Sequence, residues 1–319
     1  MGIVSLGESL IDFTPLVTDG RTTGFEIHPG GSPYNVAVAV ARLGHPSAFA
    51  GRISADFFGR TLLEHLHANG VDTSLVRTGT EATTLAFVAI EQGEPTFSFR
   101  AEGTADTLIR AGDLDPSDFL DAEALHIGSI SLLYEPTATS IIELVRALRG
   151  NVTVSFDPNV RMSLIRDAAQ YRARMRELLG SCDVVKVSER DRAALDSFDP
   201  AALVGAATGP VVVVITDGAN GSRLFRRGSS LAFPAIPSRV VDTVGAGDAF
   251  TAGVLVGAAE RGGLSRRALE HLDDEDWRDV LRFASTTAAL TCERAGAEPP
   301  TRETVQSRLA ATPATRVRP

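Results

Sequence analysis

The chain has 319 residues, of which 44% are hydrophobic and 22% charged, and its formal net charge is −9. This length and composition fit a globular protein with one large core or two smaller ones, and they exclude a disordered chain. The acidic balance excludes a basic surface for nucleic acid or an anionic membrane, and no uninterrupted apolar run reaches the ~18 residues that a spanning helix needs.

The N-terminus and the cysteines bear on the cellular compartment. The N-terminus has no basic region, and it reaches Gly7 and Glu8 before an apolar core of signal-peptide length can form. Cys182 and Cys292 are far apart in the chain and show no metal-ligand or redox spacing. We therefore expect a cytoplasmic protein with unpaired thiols.

Runs rich in Val and Ile alternate along the chain with stretches of helical period. The first units of this pattern are residues 3–6, 36–43, 47–51 and 57–68. Further core strands are predicted at 125–127, 152–156, 184–187 and 211–215. The alternation is typical of a parallel sheet with helices on its faces.

Two stretches depart from this alternation. Residues 83–91 and 95–100 are β-prone and are separated only by Gln92, Gly93 and Glu94, which predicts a hairpin. Residues 11–28 are also partly β-prone and could pair with the hairpin in a small second sheet. Such a sheet could be a lid over the mouth of the α/β domain, or the hairpin could form an antiparallel edge of the main sheet.

The strongest local signal is the segment 242–250, which reads DTVGAGDAF and precedes an apolar helical stretch. Gly245 and Gly247, on either side of Ala246, allow a turn that points successive N–H groups at one spot. A helix start of this kind favours anions. Asp248 lies just inside it, where a carboxylate could take the proton of a hydroxyl group that attacks phosphorus. Alternatively, Asp248 only caps the helix.

A second segment with adjacent glycines, residues 29–35, reads PGGSPYN. Gly30 and Gly31 let a ligand approach the main chain, and Asn35 offers both a donor and acceptors to hydroxyl groups. Asp12, beyond the first strand, adds a carboxylate that can accept from two neighbouring hydroxyl groups. Each of these features alone is more often a turn or a cap, but together they are typical of a polyol site.

No GxxxxGK[ST] segment occurs, so a P-loop cannot be the phosphate cradle. Two segments, by their order and separation, resemble the signatures of the ribokinase-like (PfkB-type) carbohydrate kinases: GGSPYN and DTVGAGDAF. The resemblance covers nearly the whole chain and implies a doubly wound α/β domain with a small β-lid, and phosphoryl transfer from ATP to a sugar hydroxyl. It implies that Asp248 is the catalytic base, that the amides of Gly245, Ala246 and Gly247 form the anion hole, and that Asp12, Gly30, Gly31 and Asn35 bind sugar.

The resemblance extends to the nucleotide side. The turn 216–221 resembles the one that receives the ATP phosphates, and residues 186–191 resemble the segment with the family's Asn-x-x-Glu metal-associated motif. Here Ser188 and Asp191 stand at the matching positions. The implied nucleotide-binding residues are Lys186, the only lysine of the chain, with Thr216, Gly218, Gly221 and Thr243, and the implied Mg²⁺ ligands are Asp191 and Glu189.

Within the family, several segments look like those of fructokinases. Asp157 and Arg161 follow a core strand, where a doubly wound fold places ligand groups. Fructokinases usually have a Tyr-Arg pair where this chain has Arg100 and Ala101, so the arginine is displaced by one residue, which changes the face of a strand. This leaves open a carboxylated sugar such as 2-keto-3-deoxygluconate, because arginine suits a carboxylate. The fructokinase-like segments are 104–106, 128–136 and 156–161.

We therefore predict one ribokinase-like kinase domain over residues 1–312, with a lid from about 11–28 and 83–101 and a flexible tail at 313–319. The leading function is a fructokinase that uses ATP and Mg²⁺, and the alternative is a 2-keto-3-deoxygluconate kinase. A catalytically silent sugar-binding or scaffolding protein is the alternative of another class. Similar kinases often respond to K⁺ held by carbonyls near 240–243 and 292–297, and a homodimer through the lid is a further option.

Overall fold

The structure, a computed structural model, describes residues 1–19, 21–91 and 94–311, so the predicted turn at Gln92 and Gly93 and the predicted tail lie outside the described residues. Its strands are β1 (Ile3–Leu6), β2 (Leu10–Thr18), β3 (Arg21–Gly30), β4 (Ser47–Ser54), β5 (Val76–Gly79), β6 (Thr84–Glu91), β7 (Glu94–Arg100), β8 (Ala124–Gly128), β9 (Thr153–Asp157), β10 (Val184–Ser188), β11 (Val212–Thr216), β12 (Ser222–Arg226) and β13 (Ser229–Phe233).

The α-helices are α1 (Ser32–Arg42), α2 (Phe57–Ala68), α3 (Thr137–Leu148), α4 (Ala168–Leu179), α5 (Glu189–Ala194), α6 (Pro200–Gly205), α7 (Ala246–Gly262), α8 (Arg266–His271), α9 (Asp274–Cys292) and α10 (Arg302–Ala311). Among the described residues, no helix is both long and apolar enough to cross a membrane.

Within the described residues, nine strands form the main sheet in the order β13-β12-β11-β10-β9-β8-β1-β4-β5. The strands from β11 to β5 are parallel, and β12 and β13 are antiparallel. The chain adds β4 and β5 on one side of β1 and then β8 to β11 on the other. The order therefore reverses between β1 and β8, and such a reversal opens a crevice at the carboxyl ends of the strands. This confirms the predicted doubly wound α/β fold.

Strand residues alternate between two helical layers, because successive side chains of a strand point to opposite faces. Val213 and Ile215 of β11 belong to a core with α3 and α4, whereas Val212 and Val214 belong to a core with α1, α7 and α9. Trp277 of α9 is fully buried in the second core. A polar side chain that shares the face of Val212 near the end of a strand therefore lies on the side of α7.

Helix α7 is held against α9 by close packing at two glycines. A Cβ on Gly253 would lie 2.5 Å from the Cα of Ala284, and one on Gly257 would lie 3.4 Å from the Cα of Val280. Glycine within a helix costs roughly 1 kcal/mol relative to alanine. Here it allows the two helix backbones to approach each other, which fixes the position of the α7 N-terminus over the sheet.

The remaining four strands form a separate sheet, within the described residues, in the order β3-β2-β6-β7. Strand β2 pairs antiparallel with β3 and parallel with β6, and β6 pairs antiparallel with β7. The register places Asp12, His28 and Ala86 on one face of this sheet and Phe13 and Phe87 on the other. The hairpin thus leaves the main sheet, which confirms the lid and excludes the edge alternative. We call this four-stranded sheet the lid.

Candidate active site

Helix α7 begins at the predicted glycine turn. Gly245 is its N-cap with φ 74°, in the left-handed region that glycine adopts without steric cost. A Cβ on Gly245 would also lie 2.7 Å from the Cβ of Ala297, so a larger residue would not fit. The first N–H groups of a helix have no partner within the helix. The Ala246 N–H donates to the Thr243 carbonyl at 3.3 Å, so within the described residues, among the three predicted amides, those of Gly245 and Gly247 are left to receive an anion.

Asp248 lies in the first turn of α7 and is buried. The Ser32 hydroxyl donates to its Oδ1 at 2.6 Å, and Asn35 Nδ2 donates to its Oδ2 at 2.9 Å. Burial raises the pKa of Asp248 to about 6, although these two hydrogen bonds act in the opposite direction. The start of α1 thus faces the start of α7 across Asp248. Sequence reasoning missed Ser32, and its position within the GGSPYN segment was the available signal.

A second buried carboxylate, Glu8, holds the start of α1. Its Oε1 accepts from the Ser32 N–H at 3.1 Å, and its Oε2 accepts from the N–H of Ser131, at 3.1 Å, and from the Ser131 hydroxyl. Burial raises the pKa of Glu8. Glu8 joins the end of β1, the start of α1 and the segment after β8, which is where the strand order reverses. It was not predicted as a site residue.

Asp12 lies on the lid, on the face that it shares with His28. A Cβ on Gly30 would lie 2.4 Å from Asp12 Oδ2, so glycine is needed there for the carboxylate to keep its place. Burial raises the pKa of Asp12 to about 7, the charge of Arg161 lowers it, and the charge of Asp248 raises it. One space therefore lies between Asp12, Arg161 and Asp248, and the charges of Arg161 and Asp248 act on Asp12 across it.

Gly31, beside Gly30, also requires glycine. It has φ 111°, and a Cβ there would lie 2.6 Å from the carbonyl oxygen of Glu8. The structure therefore brings together four of the predicted sugar-binding residues around the start of α1: Asp12, Gly30, Gly31 and Asn35.

Asp157 and Lys186 form a buried ion pair in which Lys186 Nζ donates to Asp157 Oδ2 at 2.8 Å, with the side chains 2% and 7% exposed. Burial lowers the pKa of Lys186, but the charge and the hydrogen bond of Asp157 raise it, and the net direction is upward. A Cβ on Gly247 would lie 2.9 Å from Nζ, so the ammonium lies next to the α7 start. The predicted sugar ligand Asp157 is thus a partner of Lys186.

The two predicted arginines differ in placement. Arg161 is partly buried, donates to Asn159 Oδ1 at 2.7 Å, and is near enough to Asp12 to lower the pKa of that carboxyl. Arg100 pairs in register with Leu85, on the face opposite to Asp12, and its exposed side chain donates to Ser98 and to the Phe99 carbonyl. The prediction that Arg100 joins the sugar site is therefore not supported, because the displacement by one residue turns it to the other face.

The predicted phosphate turn follows β11. Gly218 and Gly221 have φ 49° and 92°, and the Asp217 N–H donates to the Gly221 carbonyl at 2.8 Å, which closes the turn after Thr216. Thr243 lies at the other predicted segment, where its carbonyl accepts from the Ala246 N–H at 3.3 Å. A groove of about 830 Å³ adjoins the turn, and its lining includes Asn220, Gly221, Ser222, Arg223, Phe225 and Phe233.

The two predicted Mg²⁺ ligands do not converge. Glu189 forms an ion pair with Arg192, whereas Asp191 is buried, and burial and the charge of Asp157 raise its pKa. Among the described residues, no group of three or more His, Cys, Asp or Glu side chains could hold a metal ion. Glu189 and Asp191 therefore do not fit a shared Mg²⁺ site, because Arg192 already binds the Glu189 carboxylate.

The two segments predicted near a K⁺ site lie together. The N–H groups of Val241 and Asp242 donate to the Cys292 carbonyl, at 2.8 and 3.2 Å, and the Gly296 N–H donates to Asp242 Oδ2 at 2.9 Å. His28 of the lid lies next to Gly296, where an added Cβ would be 3.6 Å from His28 Nδ1. The lid thus contacts the loop that packs on the α7 start.

Comparison with known proteins identifies the family of the chain. The profile described as "pfkB family carbohydrate kinase" matches residues 2–304. Fructokinase of Rhizobium leguminosarum bv. trifolii is 37% identical over 284 residues, covering 87% of this chain and 86% of that protein. The crystal structure of fructokinase with bound ATP from Xylella fastidiosa has a TM-score of 0.89 and 32% identity, covering 97% of this chain and 98% of that one.

A further solved structure shows a fructokinase double mutant from Vibrio cholerae O395 in its "fructose, ADP and potassium ion bound form". It has a TM-score of 0.83 and 28% identity, and the match covers 96% of this chain and 97% of that one. The family profile matches most of the chain, and the fructokinase relative exceeds 30% identity over most of both proteins. The chain therefore belongs to the pfkB family of carbohydrate kinases and has a ribokinase-like fold.

Proposed function

We propose that this protein is a fructokinase that transfers the γ-phosphoryl group of ATP to a hydroxyl group of fructose. The observation that carries the proposal is the buried Asp248 in the first turn of α7, with Asn35 and Ser32 on its two carboxylate oxygens and Asp12 of the lid nearby. The fructokinases among the relatives support fructose as the substrate.

The chemical step follows from the position of Asp248. A fructose hydroxyl oxygen attacks the γ-phosphorus of ATP, and the Asp248 carboxylate accepts the hydroxyl proton as the new O–P bond forms. The bond from the γ-phosphorus to the bridging oxygen breaks, and ADP leaves with that oxygen. The amides of Gly245 and Gly247 donate to phosphoryl oxygens, on which charge develops during the transfer, whereas the Ala246 amide is held by the Thr243 carbonyl.

Sugar binding is assigned to the groups around the start of α1. Asp12 accepts from fructose hydroxyl groups, Asn35 accepts through its Oδ1 while its Nδ2 stays on Asp248, and Gly30 and Gly31 let the sugar approach the main chain. The lid covers the sugar and excludes water, which otherwise competes as the phosphoryl acceptor.

The groups proposed to hold Mg²⁺ and K⁺ follow from the contacts of the predicted cation ligands. Mg²⁺ neutralises charge on the nucleotide phosphates when it is bound. Because Glu189 is paired with Arg192, Asp191 is the one predicted ligand that stays a candidate for it. Carbonyl oxygens of 240–243 and 292–297 are candidates for K⁺, since hydrogen bonds hold these segments together. Thr216, Gly218 and Gly221 remain the proposed contacts for the ATP phosphates.

A 2-keto-3-deoxygluconate kinase is the second candidate, because the Arg161 guanidinium acts on Asp12 within the sugar site and suits a carboxylate. An assay of ADP release with fructose, ribose, 2-keto-3-deoxygluconate, tagatose phosphate and nucleosides separates the candidates. We expect the highest kcat/KM with fructose. A preference for 2-keto-3-deoxygluconate that is lost in Arg161→Ala would favour the second candidate, and no sugar-dependent ADP release would favour a silent binding protein.

The lid face opposite Asp12, which we call the outer face, supports a homodimer, although Phe13 at its base also contacts Phe58 of α2. Phe13 and Phe87 stack with ring centroids 4.7 Å apart, and Phe25 contacts both rings edge-on. Phe25 and Ile27 are 44% and 39% exposed. A cluster of exposed apolar side chains on a sheet face is typical of a protein interface. We assign this surface to pairing with a second copy of the chain.

A further inference from the structure

Glu8 is a buried carboxylate just after β1, and it contacts two other segments of the site. It is 1% exposed. Among the described residues, every hydrogen-bond donor on it is a neutral group, namely the N–H of Ser32 and the N–H and hydroxyl groups of Ser131. A carboxylate buried without a cation is costly to the fold. Such departures from ordinary packing are concentrated at functional sites.

The segment after β8 is shaped to hold the Glu8 carboxylate. Ser129 has φ 58°, in the left-handed region that residues other than glycine seldom adopt. The Ser131 hydroxyl oxygen accepts from the Glu8 N–H at 2.8 Å, so Ser131 binds both the backbone and the side chain of Glu8. A Cβ on Gly7 would lie 2.4 Å from this oxygen, so glycine is needed there for the two segments to meet. The carboxylate is therefore fixed in place from the side of β8.

Ser32 connects the Glu8 carboxylate to Asp248. Its N–H donates to Glu8 at 3.1 Å and its hydroxyl donates to Asp248 Oδ1 at 2.6 Å, so one buried residue joins the two carboxylates. The hydroxyl bond lowers the pKa of Asp248. A displacement of the Ser32 backbone would therefore change both the orientation and the pKa of Asp248. Among the described residues, the charged groups that face Asp248 are Asp157 of β9, Lys186 of β10 and Asp12 of the lid.

We propose that Glu8 is a positioning residue of the phosphoryl transfer, which holds the start of α1 so that the Ser32 hydroxyl fixes the Asp248 carboxylate in the orientation that accepts the sugar proton. The inference rests on the proposed function, because Asp248 is the base of that reaction. In this role Glu8 touches no reacting atom and neither takes nor gives a proton. A base that is free to rotate away from the attacking hydroxyl loses rate, because the transfer depends on a fixed geometry.

The structural alternative is that Glu8 only stabilises the fold by satisfying N–H groups. A double-mutant cycle separates the two roles. Glu8→Met keeps a side chain of similar length without a strong acceptor, and Ser32→Ala removes the hydroxyl while the N–H stays. We expect each variant to lower kcat about tenfold and to change the KM for ATP by less than about threefold. The double variant should also be about tenfold low, because Glu8 no longer acts on Asp248 once the Ser32 hydroxyl is gone.

A double variant whose loss is about a hundredfold, or a Glu8→Met protein with the kcat of the wild type, would overturn the proposal. If Glu8→Met does not fold, Ser131→Ala takes its place in the cycle with the same outcomes, because it removes one anchor of the carboxylate and leaves Glu8 intact.

Asp183→Asn is the matched control. Asp183 lies just before β10, is 14% exposed, and accepts from the Val154 N–H at 2.9 Å, so it also holds a backbone N–H with a largely buried carboxylate. It lies at the amino-terminal ends of the strands, away from the site. We expect Asp183→Asn to lower the melting temperature and to leave kcat unchanged.

A second measurement does not depend on turnover. In protein labelled with ¹³C at the aspartate carboxyl carbon, the Asp248 signal is the one that Asp248→Asn lacks. We expect this signal to titrate near pH 6 in the wild type and at higher pH in Ser32→Ala and Glu8→Met, because the hydrogen bond that lowers the pKa is lost. Removal of the Glu8 charge alone would shift the titration to lower pH.

A titration midpoint of Asp248 that is unmoved or lower in Glu8→Met would therefore overturn the proposal. If the protein phosphorylates no sugar but the midpoint rises in both variants, the proposed function fails and the positioning of Asp248 by Glu8 stands.

Discussion

The carboxylate of Asp248 lies where the first turns of α1 and α7 meet, and its chemistry follows from that position. Burial raises its pKa to about 6, and the donors Ser32 and Asn35 act in the opposite direction. The group is therefore mostly ionised at neutral pH, and its pKa is close enough to that pH for a proton transfer with little thermodynamic cost. A carboxylate that only capped the helix could do so on the protein surface, without being buried.

Replacing Asp248 by Asn separates a base from a cap. An amide cannot accept the hydroxyl proton, so we expect kcat to fall about 10²–10⁴-fold while ATP and sugar still bind. The melting temperature at pH 7 should be unchanged or higher, because the variant buries no charge. Turnover, nucleotide affinity and melting are measured on one preparation. A variant that binds both ligands and keeps a near wild-type kcat would refute the mechanism.

The pH dependence of activity gives a second test. Because the pKa of Asp12 is raised to about 7 and that of Asp248 to about 6, kcat/KM for sugar should fall as pH drops below 7. In Asp12→Asn the decrease in kcat/KM near pH 7 should disappear, and the decrease near pH 6 should remain. A decrease that stays near pH 7 in this variant would contradict the assignment of Asp12.

The raised pKa of Asp248 also makes stability depend on pH, in the direction opposite to that of activity. The pKa of Asp248 in the folded protein lies above its ordinary value of 3.8, so between these pH values the folded state binds more protons than the unfolded chain. The contribution of Asp248 to stability therefore falls as pH rises through this range. Comparing the melting temperatures of the wild type and Asp248→Asn across this range measures that contribution.

Residues were predictable from the sequence where a motif names them, as for Asp248 and Asn35. Ser32 and Glu8 were not, because their roles depend on contacts between β1, α1, α7 and the segment after β8, which are distant in the chain. Asp157 and Lys186 were both predicted as ligand residues. Their pairing could not be predicted, because it depends on β9 and β10 being neighbours in the sheet.

Helix starts differ in how their first N–H groups are satisfied. At α2 the N-cap Asp56 accepts from the Gly59 N–H, and α9 has Asp273 in the same role. The N-caps of α1 and α7 are Gly31 and Gly245, which have no side chain that could accept such a hydrogen bond. Glu8 supplies an acceptor for α1, whereas at α7 the Ala246 N–H donates to the Thr243 carbonyl and, among the described residues, the Gly247 N–H is left for an anion.

Strand β3 offers a matched pair of glycine substitutions. In Gly30→Ala the new Cβ would lie 2.4 Å from Asp12 Oδ2 and displace the carboxylate, whereas in Gly24→Ala it would lie 3.8 Å from a methyl group of Leu16. We expect Gly30→Ala to raise the KM for sugar at least tenfold with little change in the KM for ATP, and Gly24→Ala to change neither. Equal loss for both ligands would contradict a sugar role for this face of the lid.

At the scale of the whole molecule, the main sheet was predictable because its buried parallel strands read as apolar runs between helices. Whether the hairpin joins that sheet could not be decided from pattern, since β2 and β6 are far apart in the chain and pair in parallel. The register matters as much as the pairing. It places Asp12 toward the site and Phe13 on the outer face of the lid, so one sheet carries both a ligand face and an apolar face.

That apolar face leads to a prediction about assembly. If two copies pair through the lid, the wild type should sediment at twice the chain mass, and Phe25→Asp should sediment as a monomer, because the charge would be buried against apolar rings of the partner. Leu120→Asp is the control, because Leu120 is also apolar and is 53% exposed. It lies just before β8, at the amino-terminal ends of the strands, whereas the site lies at their carboxyl ends. Melting curves show whether each variant folds. A monomeric wild type at micromolar concentration, or a folded Phe25→Asp protein that remains a dimer, would show that this face does not join two copies.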